Sequence, residues 1–498
     1  MDAIKNFLKK DNFLNTKLII WLCIIYFPLF LNLGGFFMMR WDESRYSASS
    51  YEMLHGSNPF VVTYLNAPSM DSPKPPLFHW IQALFIAVFG FNETSVRLPS
   101  AFAGLIVCIA MMYFSIKKFK SFSFGAISSL ILLITPEGFC GVDHCARTGD
   151  YDAMLTMFSF LGILYFFQYN EKTEKNKYLF LTFVFFTLAV LTKAASGLFY
   201  APGLLIYTLV KGNFIKLIKN KWLYISLTMF VVVVGFILLI REYYTPGYLQ
   251  ALNEMEFMGR HNTAKDGHVG DFWYYLSSLK ERFGYFFIFI PFSWLLGLSL
   301  KDERIRNFSL FTLISVVSFY IVIGTAQSKL HWYALPLFPL LAMQGGILVW
   351  ILLKYITDFI TTKAPANKIT LFYLSLLLLF CVPYTQSVEN SNEKIVSESY
   401  RNWNNVQEYL KYEKKLMKNG ILVATINDTE GPYIFYYYKL NENGFNLKYQ
   451  VGPSNYKVGD KLIVEDPAIQ DVIEKNYNTT LLDQHYHLKV YQIISKKP

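Results

Sequence analysis

Two short polar segments contain acids and cations that could do chemistry at a membrane surface. The first, residues 41–46 (Trp-Asp-Glu-Ser-Arg-Tyr), follows directly on the first long apolar run. Ionisable groups beside hydrocarbon are costly and usually functional. The second, residues 72–76 (Ser-Pro-Lys-Pro-Pro), is rich in proline, which excludes helix and holds Lys74 on an extended segment. Acids, a cation and a rigid lysine on one face predict a site for an anionic, membrane-bound substrate. The alternative is a loop whose charged side chains simply reach the interface.

Further ionisable residues gather on the same predicted face of the membrane. They are Asp42, Glu43, Arg45, Arg97, Asp143, His144, Arg147, Asp150, Asp152, Lys193, Arg260, His268, Lys329 and His331. Asp150 and Asp152 open a predicted membrane helix, where acids are also favourable for the helix dipole alone. Arg147 would either take part in the site or simply form an ion pair with one of these acids.

Two lysines near the ends of other predicted spans also have alternative roles. Lys193 lies in a short turn between spans, where we expect it to extend to the membrane surface. Lys329 and Tyr333 lie in Ser-Lys-Leu-His-Trp-Tyr at the mouth of another span. They would either bind a lipid phosphate or anchor the helix at the interface.

The chemistry that this set of residues would support is group transfer from a lipid phosphate. Several converging cations would stabilise a phosphate, and acids beside them would serve as a general base or orient the cations. A phosphate is a competent leaving group when its charge is held. The sequence contains no P-loop, dinucleotide fingerprint or HExxH zinc motif.

Composition identifies the element type that must position these residues. The chain has 498 residues, is 53% hydrophobic and 16% charged, and has a mean hydropathy of +0.28. This predicts a mainly α, polytopic transmembrane protein. About eleven spans are expected, near 18–39, 97–116, 122–140, 151–169, 178–192, 196–210, 222–240, 283–300, 307–325, 332–353 and 370–386.

Lysine-rich loops predict the orientation of these spans. Every second loop is basic, for example the loop with Lys117, Lys118 and Lys120, so these loops and the N-terminus are expected in the cytoplasm. The net charge of +10 is therefore a topology signal and does not require nucleic acid. The 40–96 and 241–282 loops and the C-terminus are expected outside, in a bacterial cytoplasmic (inner) membrane.

Two outer regions are more than connectors. In the first outer loop, 43–55 predicts an amphipathic interfacial helix, and 77–90 an apolar helix that lies along or re-enters the interface. After residue 386 the composition changes, so residues 1–386 are predicted as the membrane domain and 387–498 as a small extracytoplasmic α/β domain. Its predicted helices are 400–418 and 432–440, and its predicted strands are 421–426, 446–451, 461–465 and 488–494.

A series of motifs resembles a known superfamily. In chain order these are Trp-Asp-Glu-x-Arg-Tyr, Pro-Lys-Pro-Pro-Leu, Arg97-Leu98-Pro99, the segment 146–152, Leu-Thr-Lys at 191–193 and Ser-Lys-Leu at 328–330. Over residues 15–350 the chain resembles the GT-C superfamily of glycosyltransferases, in its aminoarabinose-transferase-like and protein-mannosyltransferase-like branch. The C-terminal domain is similar in placement and size to that of aminoarabinose transferases.

The resemblance implies an integral membrane enzyme that transfers a hexose or pentose from a polyprenyl-phosphate donor, with inversion, outside the cytoplasmic membrane. Asp42 matches the family's catalytic acid and Asp152 its second functional aspartate, and we group Glu43 with them. The residues expected to hold the donor phosphate are Lys74, Arg45, Arg147, Arg260, Lys329 and Tyr333. The acceptor is lipid A, a glycan or a protein hydroxyl.

The chain departs from the family at two positions. Pro73 stands where aminoarabinose transferases have a glutamate that helps bind zinc, and Ser-Lys-Leu is followed by His331 instead of proline. We therefore expect no metal cofactor. The rival classes are a transporter or flippase of a lipid-linked or anionic substrate and a ligand sensor. Transporters place charges near mid-membrane, whereas here they gather at one mouth, and a sensor leaves the outer-loop charges unexplained.

Overall fold

The computed structural model describes residues 14–39, 42–56, 58–135, 139–140, 145–173, 175–257, 259, 267–360, 368–391, 405–412, 422–426, 433–452 and 455–498. Up to residue 391 these residues form a bundle of helices. The helices are α1 (Leu14–Phe30), α2 (Asp42–His55), α3 (Leu77–Phe89), α4 (Glu93–Phe114), α5 (Phe122–Leu133), α6 (Tyr151–Glu171), α7 (Asn176–Lys193), α8 (Ala201–Val210), α9 (Phe214–Ile218), α10 (Lys221–Tyr244), α11 (Tyr248–Leu252), α12 (Tyr274–Phe283), α13 (Phe286–Ser299), α14 (Glu303–Thr325), α15 (Phe338–Ile360) and α16 (Lys368–Asn390).

Every span predicted from the sequence coincides with a helix, although some helices are shorter than predicted. Within the described part of the chain, six stretches are long and apolar enough to cross a membrane, or seven if α12 and α13, bent by 105°, are one broken span. Four further apolar helices, α1, α3, α5 and α8, have only 10–17 residues. Helix α6 is buried along almost its whole length at the centre of the bundle, so its polar side chains need not face lipid. The chain is a multi-pass membrane protein.

The 40–96 loop, named the first outer loop for its predicted orientation, contains the two helices that the sequence predicts. Helix α2 is separated from α3 by a hairpin of two short antiparallel strands, β1 (Thr63–Tyr64) and β2 (Ala67–Pro68), and by the proline-rich segment 72–76. Helix α3 begins directly after Pro76 and ends at Gly90, whose φ of 76° is readily adopted only by glycine. Its 13 residues extend about 20 Å, which is too short to cross a bilayer core.

The second outer loop is also helical where it is described. It continues from α10 through α11 into a single π-helical turn, Asn253–Phe257, and resumes at α12. The segment around Val269 forms an isolated antiparallel bridge with Ser328. The second outer loop therefore belongs to the same end of the bundle as the Ser-Lys-Leu segment.

The C-terminal region is an α/β domain with one five-stranded mixed sheet. Its elements are α17 (Asn405–Tyr412), β3 (Leu422–Ile426), α18 (Tyr433–Glu442), β4 (Leu447–Val451), β5 (Lys461–Val464), α19 (Pro467–Asn476), β6 (Tyr477–His485) and β7 (Leu488–Lys496). The strand order is β4-β3-β5-β7-β6, with β3 parallel to β4 and β5 and with β7 antiparallel to β5 and β6. The predicted strands are all present, whereas α19 and β6 were not predicted. The proposed division at residue 386 falls within the last turn of α16, and it stays a prediction.

The C-terminal domain shares a hydrophobic core with the first outer loop. Met38, Phe91 and Val96 pack in one cluster with Phe435 and Tyr436 of α18. Polar contacts surround this cluster: the Tyr436 hydroxyl accepts from the Met38 backbone N–H, and Lys439 forms an ion pair with Glu93. These contacts place the 40–96 loop and the C-terminal domain on the same side of the membrane.

Candidate active site

Lys74 lies at the centre of a cluster of buried aromatic and polar side chains. Its ammonium donates to the Ser72 hydroxyl at 3.0 Å and to the Tyr46 hydroxyl at 3.3 Å. It also lies 5.4 Å from the ring centroids of both Tyr46 and Tyr151, within the range of a cation–π contact. Glu256 reaches it from the second outer loop, with Nζ and Oε1 3.5 Å apart. Because Lys74 is only 6% exposed, its charge is held by these partners and little by water.

The segment that carries Lys74 is held by two arginines from different helices. Arg241, at the end of α10, donates to the backbone carbonyls of Lys74 and Ser69. Arg45 of α2 donates to the Ser69 hydroxyl and forms an ion pair with Asp71. The prolines of this segment have no backbone N–H, so the segment can form few backbone hydrogen bonds with its neighbours. The side chains of the two arginines supply the hydrogen bonds that position it.

Asp42 is the first residue of α2 and lies near the same cluster. Burial, together with the negative charges of Asp42 and Asp150, raises the pKa of Tyr46 well above its usual value. Tyr46 is therefore a neutral phenol beside Lys74. Asp150 caps α6 by accepting from the Tyr151 backbone N–H at 2.5 Å. Lys74 thus lies beside Tyr46 of α2 and beside Tyr151, the first residue of α6, and the dipole of α6 favours the negative charge of Asp150 at its start.

Glu43, the neighbour of Asp42, is bound on all sides. Its carboxylate accepts two hydrogen bonds from Arg97, at 2.7 and 2.9 Å, and one each from the backbone N–H groups of Met39 and Gly149. Gly149 comes this close because it has no side chain: a Cβ there would lie 2.9 Å from Gln82 and from a backbone oxygen. Glu43 and Arg97 are 3% and 2% exposed. The pair joins the start of α2 to α4 and to the entry of α6.

Asp152 forms a second buried ion pair, with Lys193. The lysine Nζ lies 2.6 and 2.7 Å from the two carboxylate oxygens, and its ammonium is 5.2 Å from the ring centroid of Tyr333. Beside the pair is a cavity of about 10 Å³ lined also by Ser196 and Phe199, enough for about one water molecule. The expectation that Lys193 extends to the membrane surface is wrong, because the buried Asp152 stabilises its charge inside the bundle.

The other cations predicted to hold the donor phosphate contact backbone carbonyls. Arg147 donates to the carbonyls of Pro28, Leu31 and Ser391, and burial lowers its pKa to about 10. Lys329 donates to the carbonyls of Ile323, Gly324 and Ala326 at the end of α14. A cation there stabilises a helix carboxyl end. Arg260, with Asp143, His144 and His261, lies outside the described residues.

Sequence reasoning did not single out a chain of buried polar side chains beside Lys74. His79 of α3 contacts the Tyr151 hydroxyl through Nε2 at 2.5 Å and the Ser50 hydroxyl through Nδ1 at 2.8 Å. Burial and the positive charges of Arg241 and Lys74 lower the pKa of His79 to about 3, so the imidazole is neutral at physiological pH. The available signal was a histidine and Gln82 three residues apart on one face of an apolar helix.

The described residues do not form a ready metal site. Among them, no group of three or more His, Cys, Asp or Glu side chains is close enough to hold a metal ion. At the place where a carboxylate would precede Lys74, the chain has Pro73, and Glu256 already pairs with Lys74. These residues do not fit a bridging zinc ion.

Comparisons with known proteins find similarity to glycosyltransferases. The Dolichyl-phosphate-mannose-protein mannosyltransferase family matches residues 73–239. An Undecaprenyl phosphate-alpha-4-amino-4-deoxy-L-arabinose arabinosyl transferase of Pseudomonas savastanoi is 25% identical over 356 residues, which cover 70% of this chain and 64% of that protein. An uncharacterized protein of Aquifex aeolicus is 25% identical over 319 residues, covering 63% and 60%. The chain thus spans less than two thirds of the length of these relatives.

A solved structure shows which fold this is. The crystal structure of ArnT from Cupriavidus metallidurans bound to undecaprenyl phosphate superimposes with a TM-score of 0.71, covers 95% of this chain and 97% of that chain, and is 15% identical in sequence. The chain therefore has the fold of ArnT, including the membrane bundle and the C-terminal domain. The resemblance to GT-C superfamily glycosyltransferases that the motifs indicate is confirmed.

Proposed function

We propose that this protein is an integral membrane glycosyltransferase. It transfers a sugar from a polyprenyl-phosphate donor to an extracytoplasmic acceptor, with inversion at the anomeric carbon. The acceptor is a lipid such as lipid A, a glycan or a protein. The membrane is the bacterial cytoplasmic membrane, with the site and the C-terminal domain on its outer side, as the alternation of lysine-rich loops favours.

The observation that carries this proposal is the environment of Lys74. A buried ammonium lies beside Tyr46 of α2 and Tyr151, the first residue of α6, in a fold shared with a protein crystallised with undecaprenyl phosphate. The lysine ammonium is suited to bind a phosphate. Glu256 now occupies one side of the ammonium, so a donor phosphate would compete with this carboxylate for Lys74.

The transfer is a single displacement. The acceptor oxygen forms a bond to the anomeric carbon while the bond from that carbon to the phosphate oxygen breaks. The leaving phosphate takes the electron pair, and Lys74 stabilises its charge. Asp42 takes the proton of the acceptor hydroxyl, since a hydroxyl is a poor nucleophile at neutral pH and needs a positioned base. An acceptor that is already ionised, such as a phosphate, would need no base.

The other candidate residues have supporting roles in this proposal. Glu43 with Arg97, and Asp152 with Lys193, fix the helices that present Asp42 and Tyr151. Arg45 and Arg147 fix the outer segments through the contacts described above, and Lys329 closes the end of α14. Tyr333 covers Lys193. Arg260 stays a predicted donor-phosphate contact from its motif position, and we propose no metal cofactor.

A transfer assay with defined lipid donors tests the function. Purified protein in nanodiscs is incubated with radiolabelled polyprenyl-phosphate sugars and with lipid A, glycan and peptide acceptors. We expect label to pass to one acceptor class and free polyprenyl phosphate to accumulate. Label that crosses a vesicle membrane while still attached to its lipid, with no transfer, would instead identify a flippase. Donor that is neither consumed nor moved would contradict both.

A further inference from the structure

The hydrogen bonds around His79 have a single consistent direction. The Gln82 amide nitrogen donates to the Val96 carbonyl at 2.8 Å, and a carbonyl can only accept. The amide oxygen of Gln82 therefore faces Ser50, whose hydroxyl donates to it at 2.6 Å. Since Ser50 has one proton, its oxygen must accept from Nδ1 of His79.

The same argument fixes the proton of Tyr151. A neutral imidazole with its proton on Nδ1 has a bare Nε2, which can only accept. The Tyr151 hydroxyl, 2.5 Å away, must therefore donate to it. The direction as far as Nδ1 follows from the backbone carbonyl of Val96, and the step from Tyr151 to Nε2 follows because the imidazole is neutral. The series of hydrogen bonds leads from the first turn of α4 to the ring that lies over the Lys74 ammonium.

We infer that His79 is a positioning residue of the proposed transfer reaction: as a neutral imidazole protonated on Nδ1, it holds the Tyr151 hydroxyl and so fixes the ring against which Lys74 binds the donor phosphate. This inference rests on the proposed function. His79 does not contact Lys74 in this arrangement and acts through Tyr151. Its loss should therefore weaken donor binding, since Lys74 is no longer confined between the two tyrosine rings.

Two substitutions separate the two ring nitrogens. In His79→Gln the side-chain amide reaches the place of Nε2, so its oxygen still accepts from Tyr151. In His79→Asn the shorter amide lies near the place of Nδ1, so it keeps the contact with Ser50 and leaves the tyrosine hydroxyl buried without a partner. We expect His79→Asn to raise the dissociation constant for undecaprenyl monophosphate roughly tenfold, and His79→Gln to stay within about threefold of wild type.

Three measurements decide the inference. The first is the dissociation constant for undecaprenyl monophosphate in both variants. The second is the donor KM of both variants, set against their kcat. The third is the effect of combining Tyr151→Phe with His79→Asn. A positioning role predicts a KM effect, rescue by Gln and a double variant no worse than the worse single one. A purely structural role predicts equal losses of folded protein in both variants with KM unchanged, which would overturn the inference.

Nitrogen-15 spectra of labelled histidine give a readout independent of activity. The His79 signal is identified among the eight histidines by its disappearance in His79→Gln. We expect a neutral ring with the proton on Nδ1, and a proton on Nε2 would overturn the inference. Wild-type protein that binds no polyprenyl phosphate would refute the proposed function, and the positioning role with it. Wild-type binding that His79→Asn leaves unchanged would refute the positioning role alone.

Discussion

Glu43→Gln should lower the stability of the folded protein, whereas Asp42→Asn, the corresponding change at the neighbouring acid, should lower turnover. Glu43 offers two carboxylate oxygens, and each accepts from one arginine nitrogen and one backbone N–H. Glutamine has the same shape but only one oxygen. Whichever way the amide turns, its NH₂ group faces two donors, and the Arg97 charge loses its counterion in a buried site.

The expected size of the effect follows from this burial. Breaking a buried ion pair by removing one charge costs about 3–5 kcal/mol, because the other charge stays buried without compensation. This corresponds to a change of about 10²- to 10⁴-fold in the equilibrium between folded and unfolded protein. Arg97 keeps its hydrogen bonds to the carbonyls of Leu33, Phe36 and Phe37, so the lower end of this range is the better expectation.

The loss of stability is measured by heating the protein and using size-exclusion chromatography to quantify the fraction that stays folded. Glu43→Gln should unfold at a clearly lower temperature than wild type, and its surviving folded fraction should retain measurable turnover. Asp42→Asn is the matched control, since it removes one carboxylate of the same helix turn and should lower the unfolding temperature much less, by the loss of a helix-dipole contribution of about 0.3–1 kcal/mol. If Glu43→Gln is as stable as wild type but inactive, Glu43 acts in the chemistry and the reasoning from its burial is refuted.

The remaining predictions concern the reaction, the metal and the topology. Asp42→Asn should lower turnover about 10²- to 10⁴-fold with donor binding intact; near-normal turnover would make Asp42 structural and leave Asp152 as the better candidate. Lys74→Ala should lower activity with the lipid donor roughly tenfold or more in well-folded protein, and unchanged kinetics would remove Lys74 from the site. Elemental analysis of purified protein should find no stoichiometric zinc, and one equivalent would contradict this. A single cysteine at Asn443 should react with an impermeant reagent from outside and one at Lys172 only from the cytoplasm; the reverse pattern would invert the topology.

The helices and strands could be predicted from the sequence, whereas the contacts between their side chains could not. The membrane spans could be predicted because they depend directly on local composition, namely apolar runs and alternating lysine-rich loops. The extended conformation around Lys74 could be predicted because its prolines restrict the backbone of that segment. The pairs Glu43–Arg97 and Asp152–Lys193 join residues 54 and 41 positions apart. No local pattern indicates which acid meets which cation, so these contacts appear only once the helices pack.

Two elements of the C-terminal domain were not predicted: α19 has a recognisable local signal in the sequence, and β6 does not. Helix α19 begins with Asp466 as its cap followed by Pro467, which is an ordinary helix start that the sequence contains. The pairing of β6 with β7 shifts twice: Ile494 is an extra residue in β7, opposite the step from Asn478 to Thr479, and Leu482 is an extra residue in β6. Because the extra residue in β6 shifts the alternation of inward and outward side chains, this strand lacks an unbroken period-two pattern, by which strands are recognised.

The core shared by α18 and the first outer loop limits how freely the two parts of this protein can be exchanged in evolution or engineering. Removing the C-terminal domain would expose Met38, Phe91 and Val96 and would leave Glu93 without Lys439. A chimaera that takes the domain from a relative must therefore also take the matching surface of α2 to α4. The same segment carries Asp42 and the Arg97 ion pair, so a domain swap would also change residues beside the proposed reaction centre.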